Sequence, residues 1–217
     1  MIGIAIPVHN EAALLAACLA SVRAAAAHPQ LRGEAVYTVV VLDACTDDSH
    51  AIALEYGVAL LHVDARNVGH ARATGAAALL AAGARWLAFT DADTRVCADW
   101  LVAQLLLGAD AVCGPVSVDD WSDHPPHVRE TFYRMYVDAD GHRHVHGANL
   151  GVTANAYRRA GGFPPLACSE DAALVDLLIA TGASIAWSAA PRVVTSARKE
   201  SRARGGFGDT LASWVVE

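Results

Sequence analysis

Four apolar, β-prone runs alternate with three helix-patterned stretches in the first 96 residues, and that rhythm restricts the fold more than any other feature. "IGIAIPV" (2–8) reads as a first strand, stopped by Pro7. Residues 11–27 carry Leu14, Leu15, Cys18, Leu19 and Val22. Spacings of three and four predict an amphipathic helix, with Asn10 as its N-cap. "VYTVVVL" (36–42) is a β-branched run of buried-strand type. "TDDSHAIALEYG" follows as a helix opened by Thr46 and closed by Gly57. "VALLHV" gives a third strand, "NVGHARATGAAALLAAG" a helix closed by Gly83, and "RWLAFT" a fourth strand that delivers Asp91. Strand–helix alternation of this kind predicts an α/β fold: a mostly parallel, Rossmann-like sheet flanked by helices.

After residue 96 the rhythm loosens. "ADWLVAQLLLG" reads as a helix, "ADAVCGPVSV" as a strand and residues 119–147 as a polar loop rich in Pro and His. "GANLGVTANAYRRAGGF" reads as strand then helix. "SEDAALVDLLIATG" is a helix capped by Ser169, and "SIAWS" and "PRVVTSA" are late strands. The expected organisation is one domain over 1–217. The boundary near 96 separates two halves of that domain, 1–96 and a smaller 97–217 with a basic tail.

Composition narrows the function. The chain has 217 residues and a formal net charge of −7, which argues against a nucleic-acid partner. Five cysteines without CxxC spacing fit a reduced, cytoplasmic protein. The amino terminus has no basic n-region and meets Glu11, so no signal peptide is expected. No apolar run approaches the ~20 residues of a spanning helix, so no integral membrane segment is expected.

The chemistry concentrates at strand ends, where open parallel sheets bind ligands. In "FTDADT" an apolar strand runs into Asp91 and Asp93. On extended backbone, residues two apart share a side, so the pair could hold Mn²⁺ or Mg²⁺ together with substrate phosphates. The alternative is a turn in which one Asp caps the next helix. Asp43 ends "VVVLD" and could accept a hydrogen bond from a ring N–H such as that of uracil; its alternative is also capping. In "RNVGHARATG", Gly69 at a helix start permits close approach of a ligand, with Arg72 one turn on, at a helix end that favours phosphate. Glu170 and Asp171 open a helix, where acids suit the dipole or where one of them serves as a general base. His142, His144 and His146 alternate and would share a face if extended; the readings are zinc, substrate contact or a solvated loop. "RKESRARGGFG" gathers Arg198, Lys199, Arg202 and Arg204, either as solvated surface or as an arm that closes over a diphosphate.

"IPVHNE", "VVVLDACTDDS", "RNVGHARATG", "FTDADT", "GANLGV…YRRAGGF" and "SEDAAL" together resemble family 2 glycosyltransferases of the GT-A fold, in order, from about residue 2 to 180. The resemblance implies a nucleotide-diphospho-sugar donor, UDP- or GDP-linked, and an acceptor the sequence does not name. Pro7, Asn10, Glu11 and Asp43 would surround base and ribose. Asp91 and Asp93 would meet the ribose and the metal-bound diphosphate, with 1–96 as the nucleotide-binding half and 97–217 as the acceptor-side half. The residue patterns themselves add Gly69, Arg72, Glu170, Arg198 and Arg202 as candidate substrate contacts. Asp171 would be the catalytic base. His9 stands where this family often has Tyr, and the QxxRW of processive members is absent, so polymer synthesis coupled to export is not expected. No His follows His146, which points to inversion. "DADT" also fits the nucleophile motif of haloacid-dehalogenase-type phosphatases. There the motif follows the first strand and a lysine lies downstream; here it follows the fourth, and Lys199 is the only lysine. A catalytically inactive nucleotide-sugar-binding module is the remaining alternative.

Overall fold

The computed structural model describes residues 1–199 and 207–213. Its first half follows the expected alternation. β1 (Ile2–Val8), β2 (Val36–Asp43), β3 (Ala59–Val63) and β4 (Trp86–Phe89) are parallel neighbours in the order β3-β2-β1-β4. They are linked by α1 (Ala12–Ala26), α2 (Ser49–Glu55) and α3 (Val68–Ala81). Pro7 does not end β1: the strand runs on to Val8, in register with Leu42.

The second half extends the same sheet. A short β5 (Thr94–Val96) and α4 (Trp100–Leu106) lead into β6 (Ala111–Cys113), three residues where the sequence suggests a longer strand. β7 (Leu150–Thr153) then inserts between β4 and β6, antiparallel to both, and is followed directly by α6 (Ala154–Ala160). α7 (Glu170–Ala180) leads to β8 (Ile185–Trp187), parallel to β6 at the sheet edge. β9 (Val193–Thr195) pairs with β5 in a separate two-stranded ribbon. Among the described residues the main sheet has seven strands, β3-β2-β1-β4-β7-β6-β8, and β7 alone is reversed. Two short helices were not read from the sequence: α5 (Pro126–Met135), inside the expected polar loop, and α8 (Phe207–Ser213).

Both sheet faces are covered. Ile2, Ile4, Ile6 and Val8 point to one face and meet Leu15, Cys18, Leu19 and Val22 of α1 and Trp100 and Leu101 of α4. Ala5, Val39, Val41, Leu87 and Phe89 point to the other and meet α3, α6 and α7. Fully burying each Leu, Ile or Phe contributes roughly 1.5–3 kcal/mol, so this double-sided core sets the strand register.

The loops at the strand ends differ from the capping expected. Asn10 does not cap α1. It sits at φ 54° and its Oδ1 accepts the N–H of Thr46 at 2.7 Å, tying the loop after β1 to the loop after β2. The cap comes from the other loop: Asp47 Oδ2 accepts Ala12 N–H at 2.9 Å, while Asp47 Oδ1 accepts Ser49 N–H at 3.1 Å. Asp47 thus performs the role expected of Thr46 as well. Ser169 stands at the cap position of α7 with φ 57° and no side-chain cap bond.

Candidate active site

The strand order reverses between β1 and β4: β2 and β3 lie to one side of β1, and the chain returns to its other side. The carboxyl ends of β1, β2 and β4 open there into a cavity of about 780 Å³. That size suits an organic ligand at a topological switch point. Six acids line it (Glu11, Asp43, Asp91, Asp93, Glu170 and Asp171), against Arg66, Arg72 and Arg198 among the described residues.

Asp43 is held more tightly than its sequence position suggests. Its Oδ1 accepts the N–H groups of Ala65 and Arg66, and its Oδ2 that of Asn67, all at 2.8 Å. A carboxylate offers about four acceptor positions, so one remains for a ligand. The three bonds fix the β3–α3 loop, and Asn67 Oδ1 in turn caps α3 by accepting His70 N–H at 2.9 Å. His9 donates from Nδ1 to the Asp43 carbonyl at 2.6 Å.

Asp91 and Asp93 do not lie on extended backbone. Thr94 N–H donates to the Asp91 carbonyl at 3.1 Å, closing a turn over 91–94. The turn still presents both carboxylates to the cavity, and neither caps α4, whose cap position is Asp99. Asp91 bonds Arg72 Nη2, and Arg72 Nη1 bonds Glu170. Arg72 and Glu170 are 4% and 3% exposed and the Asp91 side chain 34%, so the triad joining α3, the turn after β4 and α7 is a buried ion pair with a half-buried third member. Arg72 therefore braces two site carboxylates. Gly147 makes room for it: a Cβ there would lie 2.2 Å from the guanidinium carbon.

Asp93 belongs to a second charge group. Arg198 donates to Glu11 Oε2 at 2.7 Å and Oε1 at 2.5 Å, and its Nη2 lies 2.9 Å from Asp93 Oδ2. Burial, followed by the Asp91 charge, pushes the Asp93 carboxyl up to about 6, against the pull of Arg198. Asp171, in the first turn of α7, accepts Gly147 N–H on Oδ2 at 2.7 Å and Ala172 N–H on Oδ1 at 2.8 Å.

The structure corrects two further expectations, Gly69 and Asn10 as ligand contacts, and bears on the open readings of the histidines. Gly69 does allow a close approach, but to the chain itself: its N–H donates to the Leu166 carbonyl, and a Cβ would lie 2.4 Å from the Pro164 oxygen. Gly69 and Asn10 are not among the cavity-lining residues, whereas Pro7 and Glu11 are. Among the described residues no group of three or more His, Cys, Asp or Glu side chains forms a metal cage, the three histidines included. Instead His142, His144 and Tyr136 stack: Tyr136 and His144 lie 4.0 Å apart at 5°, and His144 and His142 5.4 Å apart at 18°. Arg202 lies outside the described residues.

A family model described as "Glycosyl transferase family 2" matches residues 3–160. The chain belongs to glycosyl transferase family 2. The match carries the strand ends with Asp43, Asp91 and Asp93 and stops ten residues short of Glu170. No functionally curated protein matches this family 2 chain. Its fold is GT-A, shared with the mannosyltransferase PcManGT from Pyrobaculum calidifontis in complex with GDP-Man and Mn²⁺. That likeness has 21% identity and a TM-score of 0.67 over 94% of this chain and 58% of that one. S. aureus TarS 1-349 in complex with UDP-GlcNAc is similar at 16% identity and a TM-score of 0.69, over 95% and 61%. The family 2 chain thus spans about three-fifths of the length of these relatives. The phosphatase reading of "DADT" is not favoured: family and fold place the motif elsewhere, and Asp91 is bonded to buried Arg72.

Sequence reasoning missed Gly147, Tyr136 and the Asn67 cap as parts of the site. Asn67 had a signal, standing before a helical run. Gly147 had none, because the Arg72 and Asp171 it touches are distant along the chain; Tyr136 had none, because the stack it forms with His144 lies in a stretch read as a polar loop.

Proposed function

We propose that this chain transfers a glycosyl group from a UDP- or GDP-linked sugar to an acceptor hydroxyl, with inversion at the anomeric carbon. The observation that carries the reading is Asp171 lining the same cavity as the Asp91–Asp93 turn, with both carboxylate oxygens oriented by backbone N–H groups. The nucleotides bound in the neighbours, GDP-Man and UDP-GlcNAc, support the donor class.

The base would lie toward Asp43, Arg66 and Asn67, and the diphosphate toward the acids of the 91–94 turn. The acid excess and the raised Asp93 carboxyl fit a site that gains by taking a cation. Two carboxylates are too few for a protein cage, and substrate phosphates commonly complete such a shell. Asp91 and Asp93 would hold Mn²⁺ or Mg²⁺, which when bound neutralises charge on the leaving diphosphate. The acceptor oxygen attacks the anomeric carbon as the bond to the diphosphate breaks, and the acceptor proton passes to Asp171. Gly147 N–H and Ala172 N–H keep that carboxylate aimed.

Asp171→Asn tests the reading. Transfer should fall by roughly 10²–10⁴-fold, the ordinary contribution of a positioned base, while nucleotide affinity measured by calorimetry persists. Loss of nucleotide binding in this variant would make Asp171 a structural residue and overturn the assignment.

A further inference from the structure

The histidine segment, which the mechanism above leaves unused, ends beside the proposed base. His146 immediately precedes Gly147, whose N–H binds Asp171, and both His146 and Asp171 line the cavity. The bonding around it favours one tautomer. Tyr136 Oη accepts Val116 N–H at 2.8 Å, and the phenolic proton has His146 Nε2, 2.8 Å away, as its partner. Nε2 is then an acceptor, and the imidazole proton resides on Nδ1. The ring is held by its neighbours: Phe132, Tyr136, His144 and His142 form a continuous stack at 4.7, 4.0 and 5.4 Å, and His146 lies 6.0 Å from both Tyr136 and His144. Desolvation keeps the imidazole neutral, with its pKa pushed down to about 4, and the Asp171 charge opposes that shift only in part.

We propose that His146 is a specificity-determining residue of the acceptor subsite, donating from Nδ1 to an oxygen adjacent to the hydroxyl that Asp171 deprotonates, and that the acceptor is a neutral, polyhydroxylated sugar. The inference rests on the glycosyl-transfer reading. A fixed N–H donor beside a carboxylate acceptor matches two neighbouring hydroxyls, one giving its proton to Asp171 and one lending a lone pair to His146. The other described cavity residues on this side, Met135, Tyr136, His144, Val145, Ala148 and Phe207, bring no cation. The Arg72 guanidinium beside Gly147 already bonds Asp91 and Glu170. Among the described residues this side offers a phosphate-bearing acceptor no counter-charge.

The test uses the full chain with Mn²⁺ and a panel of UDP- and GDP-linked sugars, offering a broad glycan array and, separately, a polyprenyl phosphate in detergent. Transfer to glycans is expected. Removing one hydrogen bond in His146→Phe should raise the acceptor KM by ~10-fold and shift the donor KM far less. His146→Asn, whose amide nitrogen can occupy the place of Nδ1, should recover most of the loss. Tyr136→Phe, which frees the tautomer, should raise the acceptor KM with the same selectivity. Transfer confined to the polyprenyl phosphate, or equal shifts of donor and acceptor KM in His146→Phe, would overturn this inference while leaving glycosyl transfer intact. Absence of both nucleotide binding and nucleotide release across the panel would overturn the two together.

Discussion

Arg198 donates to both carboxylate oxygens of Glu11, 187 residues earlier in the chain, at 2.7 and 2.5 Å. The same guanidinium reaches Asp93, so the acid proposed to hold a divalent cation already has a monovalent one. The two cations compete for one carboxylate. Arg198→Gln removes the resident charge, so Mn²⁺ affinity of the nucleotide-free protein, followed by electron paramagnetic resonance, should rise by ~10-fold or more. Unchanged or weaker Mn²⁺ binding would show that Arg198 and the metal do not share Asp93.

The Arg72 triad is a second place where charge and architecture meet. Removing Arg72 strands the buried Glu170, at about 3–5 kcal/mol. Arg72→Met should therefore lower the melting temperature by roughly 10 °C. Gly147→Ala puts a methyl into the space of the guanidinium and should also destabilise. Once Met stands at 72 that clash is gone, so the double variant should be clearly more stable than the sum of the two singles implies. Strict additivity in a thermal-melt cycle would refute the close approach of Gly147 to Arg72.

The histidine stack makes acid sensitivity measurable. His146 titrates near 6.5 when unfolded and is pushed down to about 4 in the fold, by desolvation first and then by the charges of His144 and His142, with Asp171 opposing. The unfolded state therefore binds the proton first. Stability is complete above pH 6.5 and falls as the pH drops towards 4, by at most about 3 kcal/mol. His146→Asn should show a flatter decline in melting temperature between pH 7 and 4.5 than the parent chain. Parallel profiles would assign the acid limb to other groups.

The parts of the molecule legible in the sequence are those whose cause is local. β1, β2 and β4 announce themselves as apolar runs because both faces of each are buried. The acids at their ends are legible because a charge after such a run has few packing reasons to be there. α5 escaped notice because it buries only Val128 and Phe132 and leaves its other large apolar residues, Tyr133 and Met135, exposed. Asn10 looked like a cap, since its type suits one; its left-handed backbone and its bond to Thr46 depend on a loop 36 residues away. Gly69 looked like a ligand approach, and the approach is real, but the partner is the loop at 164–166. Spacing along a chain shows which residues can act and gives little sign of what lies across from them.

Asp43 distinguishes a binding residue from a residue that builds the binding loop. Direct recognition of a base N–H would use the one acceptor position its carboxylate has left. Its other three positions hold Ala65, Arg66 and Asn67, and through Asn67 the start of α3. In Asp43→Asn the amide NH₂ must face at least one of those N–H groups. A buried donor is then left without an acceptor, at about 1–3 kcal/mol. Because Arg66, Asn67 and Val68 also line the cavity, the loop should loosen and nucleotide affinity should fall together with the melting temperature. Hydrogen exchange should accelerate at residues 65–68 in the same variant. A loss of nucleotide affinity with unchanged melting temperature and unchanged exchange would instead mean that Asp43 acts on the base directly and that its three backbone bonds matter little to the loop.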